Sequence, residues 1–595
     1  MFARFGQLGN SATLAVTPAA NGANAYCAIG DVYTGQVSDG PAALPSACMY
    51  TGIDGTPTPG NIILVPQGGS VTTALTIAKC GDVIKLAAGA SFAPFNLPAK
   101  TCDPLHWIQI RSDAPDTSLP PEGTRINPSY AGVASLPDRP PFAGGNGNVM
   151  AQVVAVGRGY AITTSQGANF YRIGPGIEIT RQQGTGLNYA LVEVSRADHV
   201  ILDRVWNHGS PVLTDESKRG IDLSGSTNTA VVDSYFNDFK CIAGGLCTEA
   251  QAILAGIFNT PQGPHKIFNN FLEASTENIL FGGGGSTATV PADIEIRRNH
   301  LYRPPSWNVN SPNFIGQKYI VKNHMEFKNA RRTLFEENYL ENTWGGFSQT
   351  GFTILMTPRG DWASVEDITV RNVHVLHVGS GFQLVATTCA ASTHCSTPTA
   401  DSVAAARFSI HDVLIEDMNS ALYTGSNLVA QISSGFTKNP PLNNVSLDHI
   451  TVLNRGNAGN EIQLGTIPTN PQPTMGPIAI TNSIFFTSRY PVWSTGLPSI
   501  CTTDGQPLKT FNACFASFNI TDNLVIGYDA PGTQQWGPWP DGNAFPIDPT
   551  VVFVNYNGGW GGDYHVAAPY QNSGLDGKDL GADIAAILKG ADTAQ

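Results

Sequence analysis

One hydrophobic pattern recurs along the chain: HVILDRVW, AVVDSYF, KIFNNFLE, IEIRRNHLY, TLFEENYLE, ITVRNVHVL, FSIHDVLIE, VSLDHITVL and IAITNSIFF. Each run of β-branched and aromatic residues is broken at one position by Asp, Asn or His. Aligned there, the runs give Asp203, Asp233, Asn270, Asn299, Asn338, Asn372, Asp412, His449 and Asn482. A second pattern, GIDLSG, EAQAIL, ENILFG, MEFKNA, FTILMT, FQLVAT, AQISSG and EIQLGT, centres on Asp222, Gln251, Asn278, Glu326, Thr353, Gln383, Gln431 and Gln463. The two alternate strictly from Asp203 to Asn482. That predicts a coil in which every turn contributes at least two short strands, each stacked on its equivalent about 4.8 Å away. The fold class is therefore all-β, a single-stranded parallel β-helix. Residues 325–344, MEFKNARRTLFEENYLENTW, then form not an amphipathic helix but one turn: an outward strand, a corner at NARR, and a strand of the first pattern.

An Asn or Asp recurring at one corner suits an internal ladder, each side chain bonding the backbone or amide of the next turn. His300, His374, His411 and His449 fall within the same runs and read as structural residues. The ends differ from the repeats. VTTALTIAKCGDVIKLAAGASF reads as a short helix and a strand lying over the first open turn, within an N-terminal cap of about residues 61–110. GLDGKDLGADIAAILKGADTAQ supplies a turn and a helix that would cover the last turn, within a C-terminal cap of about 560–595. Residues 1–60, rich in Gly, Ala, Pro and Thr, are an appendage or a poorly ordered region before the helix domain of 61–595.

Composition narrows the partners. At 595 residues the chain is too long for one compact core, which fits an elongated repeat. Only 13% of residues are charged, and the net charge of -13 lacks the basic stripe that nucleic acid requires. No apolar run is long enough to span a membrane. The cysteines fall in neighbouring couples: Cys27 and Cys48, Cys80 and Cys102, Cys241 and Cys247, Cys389 and Cys395, Cys501 and Cys514. Each couple is expected to close its own loop as a disulfide, implying an oxidising compartment. The first residues, MFARFGQLGNSATLAV, lack the long apolar core of a secretory signal, so export would use another start or another signal.

The segments VTTALTIAKCGDVIKLAAGASF, IEIRRNHLYRP, MEFKNARRTLFEENYLENTW and GLDGKDLGADI together resemble secreted bacterial right-handed parallel β-helix proteins of the pectate-lyase-like superfamily, and within it an acidobacterial-type group of β-helix repeat proteins. The resemblance spans about residues 60–595 and implies a right-handed coil and a secreted or cell-surface location. It does not choose among lyases, hydrolases, epimerases, adhesins and viral spikes.

The second pattern carries the candidate chemistry. Its central polar residues are flanked mostly by apolar ones, so period-two geometry turns them outward as a stripe along the coil. Asp222, Gln251, Asn278, Gln349, Gln383 and Gln431 would hydrogen-bond the hydroxyls of an extended glycan; the plainer reading is a solvated sheet face. Lys328 is the one charge at a second outward position, beside Glu326, with Arg331, Arg332 and Arg359 nearby. Such a group suits β-elimination of a uronic-acid polymer, in which cations neutralise the carboxylate and a base removes the C5 proton. In this reading Lys328 is the base, Arg359 or Arg332 holds the substrate carboxylate, and Glu326 and Glu277 offer oxygens to Ca²⁺. No organic cofactor is expected.

The arrangement resembles alginate and chondroitin lyases of the β-helix type, with one departure: the residue expected one turn beyond Lys328 is Leu355, which displaces the arginine to Arg359. The plainer reading of Lys328 is a solvated partner of Glu326. Polygalacturonase-like hydrolysis is the second enzymatic reading, but Asp222 and Glu326 are three turns apart, roughly 14 Å, so Asp215, Glu216 or Asp361 would have to contribute. The competing class is a non-catalytic surface protein, an adhesin or fibre subunit, monomeric or associating end to end.

Overall fold

The computed structural model describes residues 22–594 except 284–288, 347–350, 360–362, 387–404, 435–440, 456–460, 467–474, 488–490, 496–500, 502–505 and 531–536. The chain forms a right-handed parallel β-helix with three strands per turn. One representative turn consists of Ala292–Arg297, His300–Tyr302 and Met325–Phe327, and the next of Ala330–Glu336, Tyr339–Thr343 and Phe352–Met356. Strands of the first two faces belong to one 24-stranded sheet and those of the third to a 12-stranded sheet.

The sequence patterns merged two faces into one. Each run of the first pattern is two strands meeting at a bend, and the bend residue is left-handed: Arg204, Asp233, Asn269, Arg298, Glu337, Asn372, Asp412, His449 and Asn482 have φ between 49° and 55°. Asn and Asp tolerate this conformation best among residues with a side chain. The aligned polar residues therefore divide. Asp233, Asn372, Asp412, His449 and Asn482 make the bend, Asp203 precedes it, and Asn270, Asn299 and Asn338 follow it.

Only the last group builds the ladder. Asn299 Oδ1 accepts from the backbone N–H and the amide of Asn270, and Asn338 Oδ1 does the same for Asn299, at 2.9–3.0 Å. Ser234 N–H extends the column onto Asn270, and it resumes where Ser483 N–H meets Asn523. Inside, like residues stack on like: Ile267, Ile296, Phe335, Val370, Ile410, Leu447, Ile480 and Ile520 are register partners in sequence and all buried.

Two faces are crossed by other parts of the chain. Residues 22–57 lie over the first face as a strap, tied by Cys27–Cys48. Its contacts run from Arg172, which donates to Thr51 C=O, through Asp293 on Ser46 and Glu336 on Tyr26, to His411 on Asp39. On the second face the outward column is mostly aromatic and aliphatic, interrupted by His300, His374 and Thr451, and it is covered in two stretches. Trp206, Tyr235 and Phe271 pack under Ile126, Tyr130 and Met150; Leu414, Ile484 and Leu524 pack under Val552, Leu580, Ile584 and Ile587.

The helix Val71–Ile77, N-capped by Ser70, packs on the first strands of the coil. The C-terminal helix Ile584–Gly590 is placed differently from the expectation that it covers the last turn. It lies along the flank, reaching back until Ala594 meets Tyr339 and Leu376, because that flank presents the exposed apolar column. Disulfides join Cys80–Cys102, Cys241–Cys247 and Cys501–Cys514; Cys389 and Cys395 lie outside the described residues. His300, His374 and His449 are buried and bonded to Glu341, Glu416 and Gly581 C=O.

The strap has a pH dependence. His199 Nε2 meets Asp31 of the strap at 3.1 Å while Nδ1 meets Asp198, and His411 is held likewise by Asp39 and Asp412. Burial pushes both imidazoles down, but the carboxylates outweigh it and raise each to about 9. Because the folded values lie above the unfolded one, near 6.5, this stabilisation is complete below about pH 6.5 and is lost as the pH rises through 9. Protection factors across residues 22–57, with the intrinsic base-catalysed rise in exchange divided out, are expected to fall between pH 7 and pH 9.5, and H199Q/H411Q to abolish that step. An unchanged step in the double variant would refute the assignment.

Candidate functional site

The third face carries partly exposed charges and amides. Its outward column, read from strand register, runs Glu193, Asp222, Leu254, Leu280, Glu326, Leu355, Gln383 and Gln431. Asp222, Glu326, Gln383 and Gln431 thus share the expected stripe, and the amide of Gln383 donates to that of Gln431. Gln251 sits elsewhere, at the strand entry, opposite Arg219 and Glu277. Asn278 is in the interior corner, its amide donating to Leu272 and Tyr302 C=O and its oxygen on His324, so no glycan reaches it. Thr353 is buried against Ser380 C=O. Gln349 and Asp361 lie outside the described residues.

Leu355 proves to be the register partner of Glu326, not of Lys328. Lys328 C=O instead accepts the backbone N–H of Arg359 at 3.0 Å, which sets Arg359 directly on the next turn. Arg332 is on another face: its left-handed backbone turns it to the strap, where it makes a two-pronged bond to Asp293 at 2.7–2.8 Å. It is thereby removed from the Lys328 site. Asp215 and Glu216 are also committed, Asp215 to Gly184 and Gly186 N–H, and Glu216 to Ile242, Leu246 and Cys247 N–H.

Around Lys328 the charges alternate. Lys322 pairs with Glu277 at 3.2 Å and with Glu249; Lys328 lies 3.8 Å from Glu249 and 3.5 Å from Glu326; Arg359 lies 4.0 Å from Glu326. Glu277 and Glu326 are 0% exposed, Lys328 4% and Lys322 5%, while the Arg359 side chain is 36% exposed. Gln251 donates to Glu277 at 2.9 Å, and Arg219 links Gln251 to Asp222. Sequence pattern alone missed Lys322, Glu249, Arg219 and Glu193. All but Glu193 and Arg219 lie in the connections between the second and third faces, where no repeat marks them.

The electrostatics set two carboxyls apart. Burial pushes Glu277 up to about 7, with Lys322 opposing and Glu326 adding. Burial also raises Glu249, but Lys328 and Lys322 outweigh it and hold that carboxyl below its usual range. Lys322 is raised, its burial outweighed by Glu277 and Glu249. Glu193, one rung from Asp222, is raised by burial and then by Asp222. Since the folded Glu277 binds its proton more tightly than the unfolded chain does, its contribution to stability falls as the pH rises from about 4.5 to 7. Denaturation midpoints at pH 5 and pH 8 are expected to differ less in E277Q than in the wild type; an equal slope in both would count against the shift.

Two acidic groups are candidate metal ligands. Glu216 lies beside Cys241 and Cys247, but both sulfurs are joined to each other and the carboxylate is saturated by backbone N–H groups, so the donors do not suit an ion. Glu326 and Glu277, the expected Ca²⁺ ligands, are each within 3.5 Å of an ammonium group. Ca²⁺ requires six to eight oxygens at about 2.3–2.6 Å, and this donor set does not fit it.

No protein-family model matches the chain, and no curated protein matches it in sequence. Among solved structures it is similar to an alginate lyase from a Paenibacillus strain, at 14% identity and a TM-score of 0.33 over 63% of this chain and 93% of that one. It is also similar to a family 28 exopolygalacturonase from Yersinia enterocolitica, at 11% and 0.34 over 82% and 78%. A PL6 family polysaccharide lyase from Pseudopedobacter saltans matches at 12% and 0.31 over 82% and 97%. Likenesses this loose say nothing of activity. Among the described residues no helix is long and apolar enough to cross a membrane.

Proposed function

We propose that the protein is an extracellular carbohydrate-active enzyme that cleaves a uronic-acid-containing polysaccharide by β-elimination on its third face. The observation that carries this reading is Lys328, linked through Glu249 to Lys322 and through Glu326 to Arg359 on a face whose outward column mixes Asp222, Glu326, Gln383 and Gln431 with leucines. A glycan lying along that column meets outward residues about every 4.8 Å, close to one sugar per turn. Gln383, Gln431 and Asp222 would bond its hydroxyls, and Arg359, the most exposed cation of the group, would meet the uronate carboxylate.

That pairing withdraws charge from the carboxylate and acidifies C5. Lys328, once its own proton has passed to water, takes the C5 proton as an amine, the electron pair forms the C4–C5 double bond, and the C4–O glycosidic bond breaks as water protonates the leaving oxygen. The disulfides fit folding in an oxidising compartment, where such polymers occur.

A second reading, hydrolysis, is favoured by one observation: Glu277 and Glu249 are driven to opposite protonation preferences around Lys322. Incubation with polygalacturonate, alginate and glycosaminoglycans separates the two. Elimination yields a product absorbing in the ultraviolet at its new double bond, whereas hydrolysis yields reducing ends without that absorbance. Neither signal on any polyuronide would overturn the proposal and leave a non-catalytic glycan-binding or fibre protein.

A further inference from the structure

Around Lys328 six groups form an alternating chain, Glu277, Lys322, Glu249, Lys328, Glu326 and Arg359, three carboxyl groups and three basic side chains. We propose that Lys322 and Lys328 are built-in counter-ions that hold the place of a divalent cation among the three glutamates, so that this site works without Ca²⁺. The inference rests on the reading of the third face as the working face, but its test does not require turnover.

Each ammonium bridges two carboxylates, and Glu249 is shared between them. A calcium ion takes its charge balance from acidic ligands; here the balance is already complete within the protein. Four of the six side chains are buried, so water does not screen them, and a dication brought against Glu326 would stand close to both Lys328 and Arg359. Like charges at that separation in a low-dielectric setting repel strongly.

Among the described residues neither oxygen of Glu326 accepts a hydrogen bond, and the groups within 4.0 Å of it in ion pairs are Lys328 and Arg359. Lys322 also differs from a casual surface lysine. It is buried, it is bound on two sides, and it enters from the connection preceding Met325–Phe327 rather than from the strand itself.

The test is a calcium titration of the full chain by calorimetry, comparing wild type with K322M/K328M. Removing both ammonium groups leaves three carboxylates and one arginine, a donor set that favours a cation. The double variant is expected to bind one Ca²⁺ equivalent more than wild type, with a Kd at or below about 1 mM. Its melting temperature should rise on adding Ca²⁺ and fall again in chelator, while wild type shows no chelator-sensitive shift. No additional equivalent in the variant, or a wild-type equivalent that E326Q abolishes, would overturn the proposal. Should the double variant not fold, the wild-type and E326Q titrations still decide it, since a Ca²⁺ site of ordinary kind must appear in the first and vanish in the second.

Discussion

Lys328→Ala is expected to lower the rate of unsaturated-product formation by about 10²–10⁴-fold, the usual contribution of a positioned general base, while leaving the coil folded. Both halves follow from the alternating chain. Lys328 shares Glu326 with the exposed Arg359 on the working face, so its removal takes the amine from that group. Yet each carboxylate it touches keeps a second cation: Glu249 retains Lys322, and Glu326 retains Arg359 at 4.0 Å. The loss is therefore of chemistry more than of stability.

Lys328→Arg sharpens the comparison. It preserves the charge that holds Glu249 and Glu326 but supplies a guanidinium that does not give up its proton at accessible pH. It should be as inactive as the alanine variant and more stable. Initial rates on the most responsive polyuronide, with circular dichroism as a control, measure both. Full activity in either variant would exclude Lys328 as the base.

Glu336→Ala is expected to destabilise the protein by about 3–5 kcal/mol, the range for removing one partner from a buried ion network. Glu336 is buried beneath the strap and receives Arg297 Nε at 2.6 Å, Arg371 Nε at 2.8 Å and the Tyr26 hydroxyl at 3.0 Å. Burial pushes this carboxyl up, but Arg297 and Arg371 outweigh it and keep it ionised. Without it Arg297 falls back on Glu295 at 3.2 Å, Arg371 on Asp39 at 2.7 Å, and Tyr26 has no carboxylate. The strap is then held at one fewer point, so the variant should also lose protection in residues 22–57 before global unfolding. Urea denaturation of wild type, E336A and E336Q checks the order, with E336Q between the other two. A loss below about 1 kcal/mol in E336A would show the network to be dispensable.

The repeat, the coil and the identity of the stacked segments were legible from the sequence because period-two alternation is local and survives in every turn. The number of faces was not. A left-handed residue such as Asn372 bends the chain without interrupting the apolar pattern, so ITVRNVHVL reads as one strand where the fold has two sides. For the same reason bend residues and ladder residues, one position apart, looked equivalent.

The proximity of Lys328, Glu326 and Arg359 is legible because they lie on or just beyond a repeating strand. Arg332 was misassigned because closeness in sequence stands in poorly for closeness in space once a corner intervenes. Lys322 and Glu249 come from connections of variable length, and only the distances to Glu277 and Lys328 reveal them. A lysine six residues before Lys328, across KNHMEFK, was the one hint available.

An unbraced solenoid is a one-dimensional object: each turn touches only its neighbours, and the stack frays from its ends or opens in the middle at modest cost. The strap of residues 22–57 alters that dimensionality. Its contacts join the turn of Arg172 to the turn of His411, so turns far apart along the axis share a common tie. No turn between them opens alone without also releasing the tie or bending it. The coil is thus expected to melt over that span as one cooperative block.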